Sequence, residues 1–115
     1  MRAYLIEDLT DDNGKKIAEA LEAKGYEQPL DGLFWLPVPQ DMLSDIQREH
    51  WDECGPYVMG LEIMDMPEGC ALKLELLARA KGRLRCSCVA YAEPEQRNNI
   101  IDFLDEFIRE LDIPV

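Results

Sequence analysis

The stretch YVMGLEIMDMPEGCALKLELLARAKGRLRCSCVAY, residues 57–91, decides the fold. Its first run, Tyr57 to Asp65, is followed by Met66, Pro67, Glu68 and Gly69. Proline presets the backbone for a turn, and glycine tolerates the positive φ that closes one. A second run, Cys70 to Arg79, then pairs Ile63 with Leu72, Leu61 with Leu74, Met59 with Leu76 and Tyr57 with Ala78. All these side chains fall on one face, because they alternate along a strand. Glu62 meets Lys73 on the other face, a favourable cross-strand pair.

A second turn lies at Ala80, Lys81 and Gly82. A three-residue loop with a left-handed Gly82 pairs Leu72 with Ala90, Leu74 with Cys88, Leu76 with Cys86 and Ala78 with Leu84. The expectation is a three-stranded antiparallel meander over about 57–65, 70–79 and 83–92. Each buried Leu or Met on its common face contributes about 1.5–3 kcal/mol, enough to select a register. The opposite face mixes Val58, Met64, Leu77, Val89 and Tyr91 with Glu62, Lys73, Glu75, Arg79 and Arg85, so a helix or a partner is expected to cover part of it.

Outside this stretch three helices are predicted, over about 10–24, 40–54 and 94–112. Thr10 is a good N-cap, with Asp11 and Asp12 in the first turn, where the helix dipole favours negative charge. Leu43, Ile46, His50 and Cys54 line one face of the second helix, and Gly55-Pro56 stops it. Pro94 opens the third, whose core stripe is Ile100, Leu104, Phe107, Ile108 and Leu111. Asp31-Gly32 marks a hairpin leading into an apolar strand, Leu33 to Val38, which Pro37 and Pro39 confine to an edge. Residues 2–9 read either as a strand carrying Tyr4 and Ile6 or as a backward extension of the first helix.

Helices flanking a consecutive antiparallel run define an α+β chain, and 115 residues without a linker or repeat make one domain, 1–115. The element order resembles the roadblock and profilin-like arrangement. That resemblance is one of element order over most of the chain, and it implies five strands with helices on both faces.

Composition narrows the function classes. The formal charge is −12, which repels nucleic acid and anionic membrane surfaces, so neither is an expected partner. No apolar run approaches the roughly 20 residues that span a bilayer. Glu7 and Asp8 stand where an export signal would be apolar, so a cytoplasmic chain with free thiols is expected. Lys73, Arg79, Lys81, Arg83 and Arg85 cluster in thirteen residues holding a single acid, Glu75. Such a run is either a solvated, aggregation-guarding hairpin end or a docking surface for an acidic protein, including a second copy of this chain. Arg79, Arg83 and Arg85 would supply its charged contacts, with Val89, Tyr91 and Trp51 as apolar anchors. Trp51 has the alternative of packing on the Leu33–Val38 strand.

The only histidine, His50, precedes Cys54 by one helical turn, and Cys86 and Cys88 alternate onto one side of their strand. One imidazole and three thiols are a ligand set for tetrahedral zinc. Against it, Cys-x-Cys is not the two-spaced zinc knuckle, and the meander register sinks both cysteines among leucines, where thiols act as small hydrophobes. A disulfide between Cys86 and Cys88 is too short to close in an extended strand, and Cys70 lies at the far end of its strand from Cys86. A Cys54–His50 dyad is disfavoured by the neighbouring Asp52 and Glu53, which raise a thiol pKa. Ser44 and Ser87 have no activating histidine, and no glycine-rich phosphate loop occurs. The sequence therefore points first to a protein-binding or self-associating module without catalytic activity or a required cofactor. Second comes a metal or thiol redox module on His50, Cys54, Cys86 and Cys88. Third is a small-molecule pocket beneath the second helix, with His50 at its rim.

Overall fold

The computed structural model describes residues 1–115 as one antiparallel sheet with its helices on a single face. The strands are β1 (Ala3–Leu9), β2 (Leu33–Pro37), β3 (Tyr57–Met66), β4 (Gly69–Glu75), β5 (Leu77–Ala80) and β6 (Ala90–Tyr91). The helices are α1 (Asp11–Ala23), α2 (Asp45–Glu49), α3 (Trp51–Cys54) and α4 (Pro94–Arg109), with a 3₁₀ turn at Gln40–Met42. The α+β class is as the sequence indicates, and residues 2–9 resolve in favour of a strand.

β3 is the spine of the sheet. It pairs with β2 on one edge and with β4 and then β5 on the other. The hairpin register is the expected one from Leu61–Leu74 through Asp65–Cys70, closing at Met66–Gly69, with Gly69 at φ 101°. It then changes. Tyr57 pairs with Ala80, not Ala78, because the second strand breaks at Leu76 and resumes two residues out of step. Two consecutive leucines hide this bulge from a period-two pattern, since either one can face the core.

The third strand of the meander is the larger correction. The outer edge of β4 is taken by β1, which pairs Tyr4 with Leu74 and Ile6 with Leu72. Only Ala90 and Tyr91 join the sheet from the 83–92 segment, opposite Ala78 and Leu77. Both β1 and residues 84–90 alternate in polarity, and one edge can hold only one of them. β1 wins it by adding Tyr4 and Ile6 to the core face, and a register shift before Leu9, with Asp8 at φ 61°, turns Leu9 inward as well. Residues 81–89 are thereby released from the sheet as a loop, so the pairings of Cys86 with Leu76 and Cys88 with Leu74 do not occur.

The single long helix over 40–54 is also divided. Leu43 is extended, Ser44 caps α2 through a capping box with Gln47, and His50 sits at the joint with α3. The backbone bonds His50 N to Ile46 O (3.1 Å) and Cys54 N to His50 O (2.8 Å) still carry one helical turn across the joint.

Ile17 and Leu21 of α1 and Ile100, Leu104, Phe107 and Ile108 of α4 pack with Phe34, Leu36, Met59, Leu61, Leu72 and Leu74 in one core. The Tyr4 hydroxyl donates to Asp105 at 2.6 Å, tying α4 to the edge strand. Leu33, Trp35, Val58, Gly60, Glu62, Lys73 and Glu75 have the opposite strand parity and face away from the helices. No helix covers that side, which departs from the two-sided arrangement that the element order resembles. No helix is long and apolar enough to cross a membrane.

Candidate metal centre

Release of the 81–89 loop has a chemical result. The ligand atoms of His50, Cys54, Cys86 and Cys88 all lie within 4.8 Å of one another. Four ligands around zinc, at bond lengths near 2.3 Å to sulfur, stand about 3.7 Å apart in a tetrahedron, so the cluster needs only a small contraction. His50 and Cys54 come from the joint and the end of the α2–α3 segment. Cys86 and Cys88 come from the loop that folds back over it.

The loop is held in place by backbone contacts. Gly82 N donates to Cys54 O at 2.7 Å, and Lys81 N donates to Pro56 O at 3.0 Å. A Cβ at position 82 would stand 2.5 Å from the Glu53 carbonyl oxygen and 2.9 Å from that of Cys54, so only glycine permits this approach. Val89 N donates to Cys86 O at 3.1 Å, closing the turn that aims both sulfurs inward.

A buried amide network fixes Cys88 from the other side. Gln47 Nε2 donates to Cys88 O at 3.2 Å, and Gln47 Oε1 accepts from Gln96 Nε2 at 2.9 Å and from Ser44 N at 3.0 Å. Gln96 Nε2 also donates to Met42 O at 2.9 Å, and its Oε1 accepts from Glu93 N at 3.0 Å. Both glutamines are almost fully buried, so their partners offset a large desolvation cost. A glutamine in a helical segment reads as a solvent-facing residue, which is why this network is not legible in the sequence. The only visible signal is the pair of spacings, Ser44 to Gln47 and Glu93 to Gln96, that fit capping boxes.

The electrostatics are those of three thiols sharing one small site. His50 Nδ1 lies 3.0 Å from Cys86 Sγ, and Cys88 N lies 3.5 Å from the same sulfur. The Cys88 amide and thiol, with the His50 ring and the Cys54 thiol, pull Cys86 down to about 6 against its burial. Burial first, and then the two other thiols, pushes Cys54 up to about 12. Cys54 and Cys88 are buried, while His50 and Cys86 are partly exposed, which leaves an entry path on their side. All four cysteines are free thiols. Cys70 lies apart from the cluster, with its sulfur 3.4 Å from Thr10 O and packed against Gly14.

The other sequence-singled residues are scattered. Arg79 pairs with Glu75 at 2.8 Å, Lys81 with Glu27 at 2.8 Å and Arg83 with Glu53 at 3.4 Å, while Arg85 has no carboxylate within ion-pair distance. Most of the basic run is thus answered within the chain. Val89 is half-buried, and Tyr91 is exposed with Arg2 over its ring at 5.7 Å. Trp51 is half-buried against Gly55 and Tyr57, its ring centroid 6.1 Å from that of Tyr57. These two rings occupy the space between the α2–α3 segment and the sheet.

Comparison with known proteins finds no matching family model, curated protein or solved structure.

Proposed function

We propose that this chain is a zinc-binding domain in which His50, Cys54, Cys86 and Cys88 hold one structural zinc ion. The observation that carries this reading is the convergence of an imidazole nitrogen and three sulfurs from two separate segments. Three soft thiolates with one imidazole suit zinc, and four protein ligands leave no open position for a substrate. The metal would clasp the 81–89 loop to the α2–α3 segment. A thiol redox role would use His50, 3.0 Å from Cys86, to favour its thiolate, but it needs only two sulfurs and gives no account of the third. Elemental analysis of protein purified under reducing conditions without chelator tests the reading. The expected result is one equivalent of zinc, lost in Cys88→Ser, and a tetrahedral thiolate spectrum when cobalt(II) replaces it. Protein that binds neither ion would overturn it.

A second reading concerns the uncovered sheet face, where we propose self-association. Leu84 is 96% exposed on the clasped loop. It borders a hollow of about 260 Å³ that also includes Trp35, Val58, Arg79, Lys81 and Val89. A second copy suits this face because it presents both signs, Glu62 with Lys73 and Glu75 with Arg79, whereas the chain as a whole is strongly acidic. With Lys73, Arg79, Lys81 and Arg83 already paired internally, the contact is chiefly apolar. Light scattering after gel filtration should give a dimer mass at low and at high salt, and Leu84→Asp should give a monomer. A wild-type monomer at both salts would remove this reading and leave the zinc site untouched.

A further inference from the structure

Tyr57 is fully buried, and its hydroxyl is the only buried side-chain oxygen or nitrogen in the protein without a hydrogen-bond partner. Every other buried side-chain nitrogen or oxygen has at least one partner, those of the two glutamines included. A hydroxyl orphaned where every other buried polar atom finds a partner calls for a cause. Its surroundings supply one: after burial itself, the Cys88 thiol acts on it most strongly, followed by the thiols of Cys54 and Cys86. The phenol is also held in place. Tyr57 O accepts from Val38 N at 2.9 Å, the residue pairs with Ala80, and its ring rests near that of Trp51.

A neutral thiol is a weak acceptor, whereas a metal-bound thiolate is a strong one. Zinc with three thiolates and a neutral imidazole carries a net negative charge, which is costly to bury without donors aimed at the sulfurs. Cys88 N already points at Cys86 Sγ. Resting on the zinc reading, we infer that the Tyr57 hydroxyl donates a hydrogen bond to the Cys88 thiolate of the loaded centre and is a positioning residue of the metal site. The hydroxyl lacks a partner while the sulfur is a thiol and gains one when the sulfur is a metal-bound thiolate.

The test is Tyr57→Phe in the full chain, which removes one oxygen and keeps the ring. Competition against a chelator should show zinc affinity lowered about tenfold, with one equivalent still bound. The sulfur-to-metal charge-transfer band of the cobalt(II) form should move to lower energy, because a thiolate relieved of a hydrogen bond gives up electron density more readily. A merely structural role would leave that band in place. Equal affinity and an unmoved band would overturn the inference while the zinc reading stands; wild type that binds neither metal would overturn both. Should Tyr57→Phe fail to fold, the wild-type near-ultraviolet difference spectrum decides. Loading should shift a tyrosine band, and a spectrum without that shift would overturn the inference.

Discussion

A single hydrogen at position 82 decides whether the 81–89 loop can pack on the end of α3. Gly82→Ala would press a methyl group onto the carbonyls of Glu53 and Cys54. The expected cost is about 2 kcal/mol in denaturant unfolding, with weaker zinc binding in a chelator competition. Gln47→Leu should cost about 3 kcal/mol in the same unfolding measurement, because Cys88 O, Ser44 N and Gln96 Nε2 each lose a buried partner. At this scale the sequence was a partial guide. The four ligand types and the one-turn spacing of His50 and Cys54 were visible. Of the two arguments against a metal, the Cys-x-Cys spacing stands, while the placing of Cys86 and Cys88 opposite leucines of the sheet fails because the 81–89 loop leaves the sheet. The glutamines that orient Cys88 gave no sign of burial, because partner identity is a tertiary property.

Among the elements, the β3–β4 hairpin was legible to the residue from Leu61–Leu74 to Asp65–Cys70, because proline, glycine and strict alternation agree there. Edge assignment was not, since two alternating segments competed for one strand and local pattern cannot rank them. β1 also carries the contact that fastens α4. The Asp105 carboxylate accepts from the Tyr4 hydroxyl, and this bond, aided by burial, raises the phenol from 10.0 to about 12. A folded value above the unfolded one means that the contact stabilises fully below pH 10 and fades as pH rises towards 12. Tyr4→Phe should therefore be less stable than wild type by about 1 kcal/mol at pH 8, the modest figure suited to a partly exposed bond, and the gap should close as pH rises from 10 towards 12. Denaturant midpoints across that range check the sign.

For the molecule as a whole, the core lies between the sheet and the long helices α1 and α4, and the proposed metal site lies to one side of it. Removing zinc should therefore loosen the clasp without dissolving the fold. Chelation is expected to leave the far-ultraviolet circular dichroism nearly unchanged and to raise amide exchange in residues 81–89. It should also lower the unfolding free energy by about 4 kcal/mol relative to protein at a free zinc concentration a thousandfold above the dissociation constant. Protection in 81–89 that ignores chelation would mean that the backbone contacts of Gly82 and Lys81 hold the loop unaided. The self-association proposed for the open face belongs to this scale too, and its insensitivity to salt follows from the internal pairing of Arg79, Lys81 and Arg83.

The two ligand pairs bracket β3, β4 and β5: His50 and Cys54 precede that run, and Cys86 and Cys88 follow it. Zinc would therefore tie the middle of the chain into a closed ring and leave both ends outside. A tensile load applied at Met1 and Val115 would reach β1 and α4 first, and those elements would peel away before any force fell on the sulfur–metal bonds. The clasp would give the protein a knot-like kernel that outlasts its own termini, so a molecular machine unravelling the chain from either end would meet its stiffest resistance halfway along.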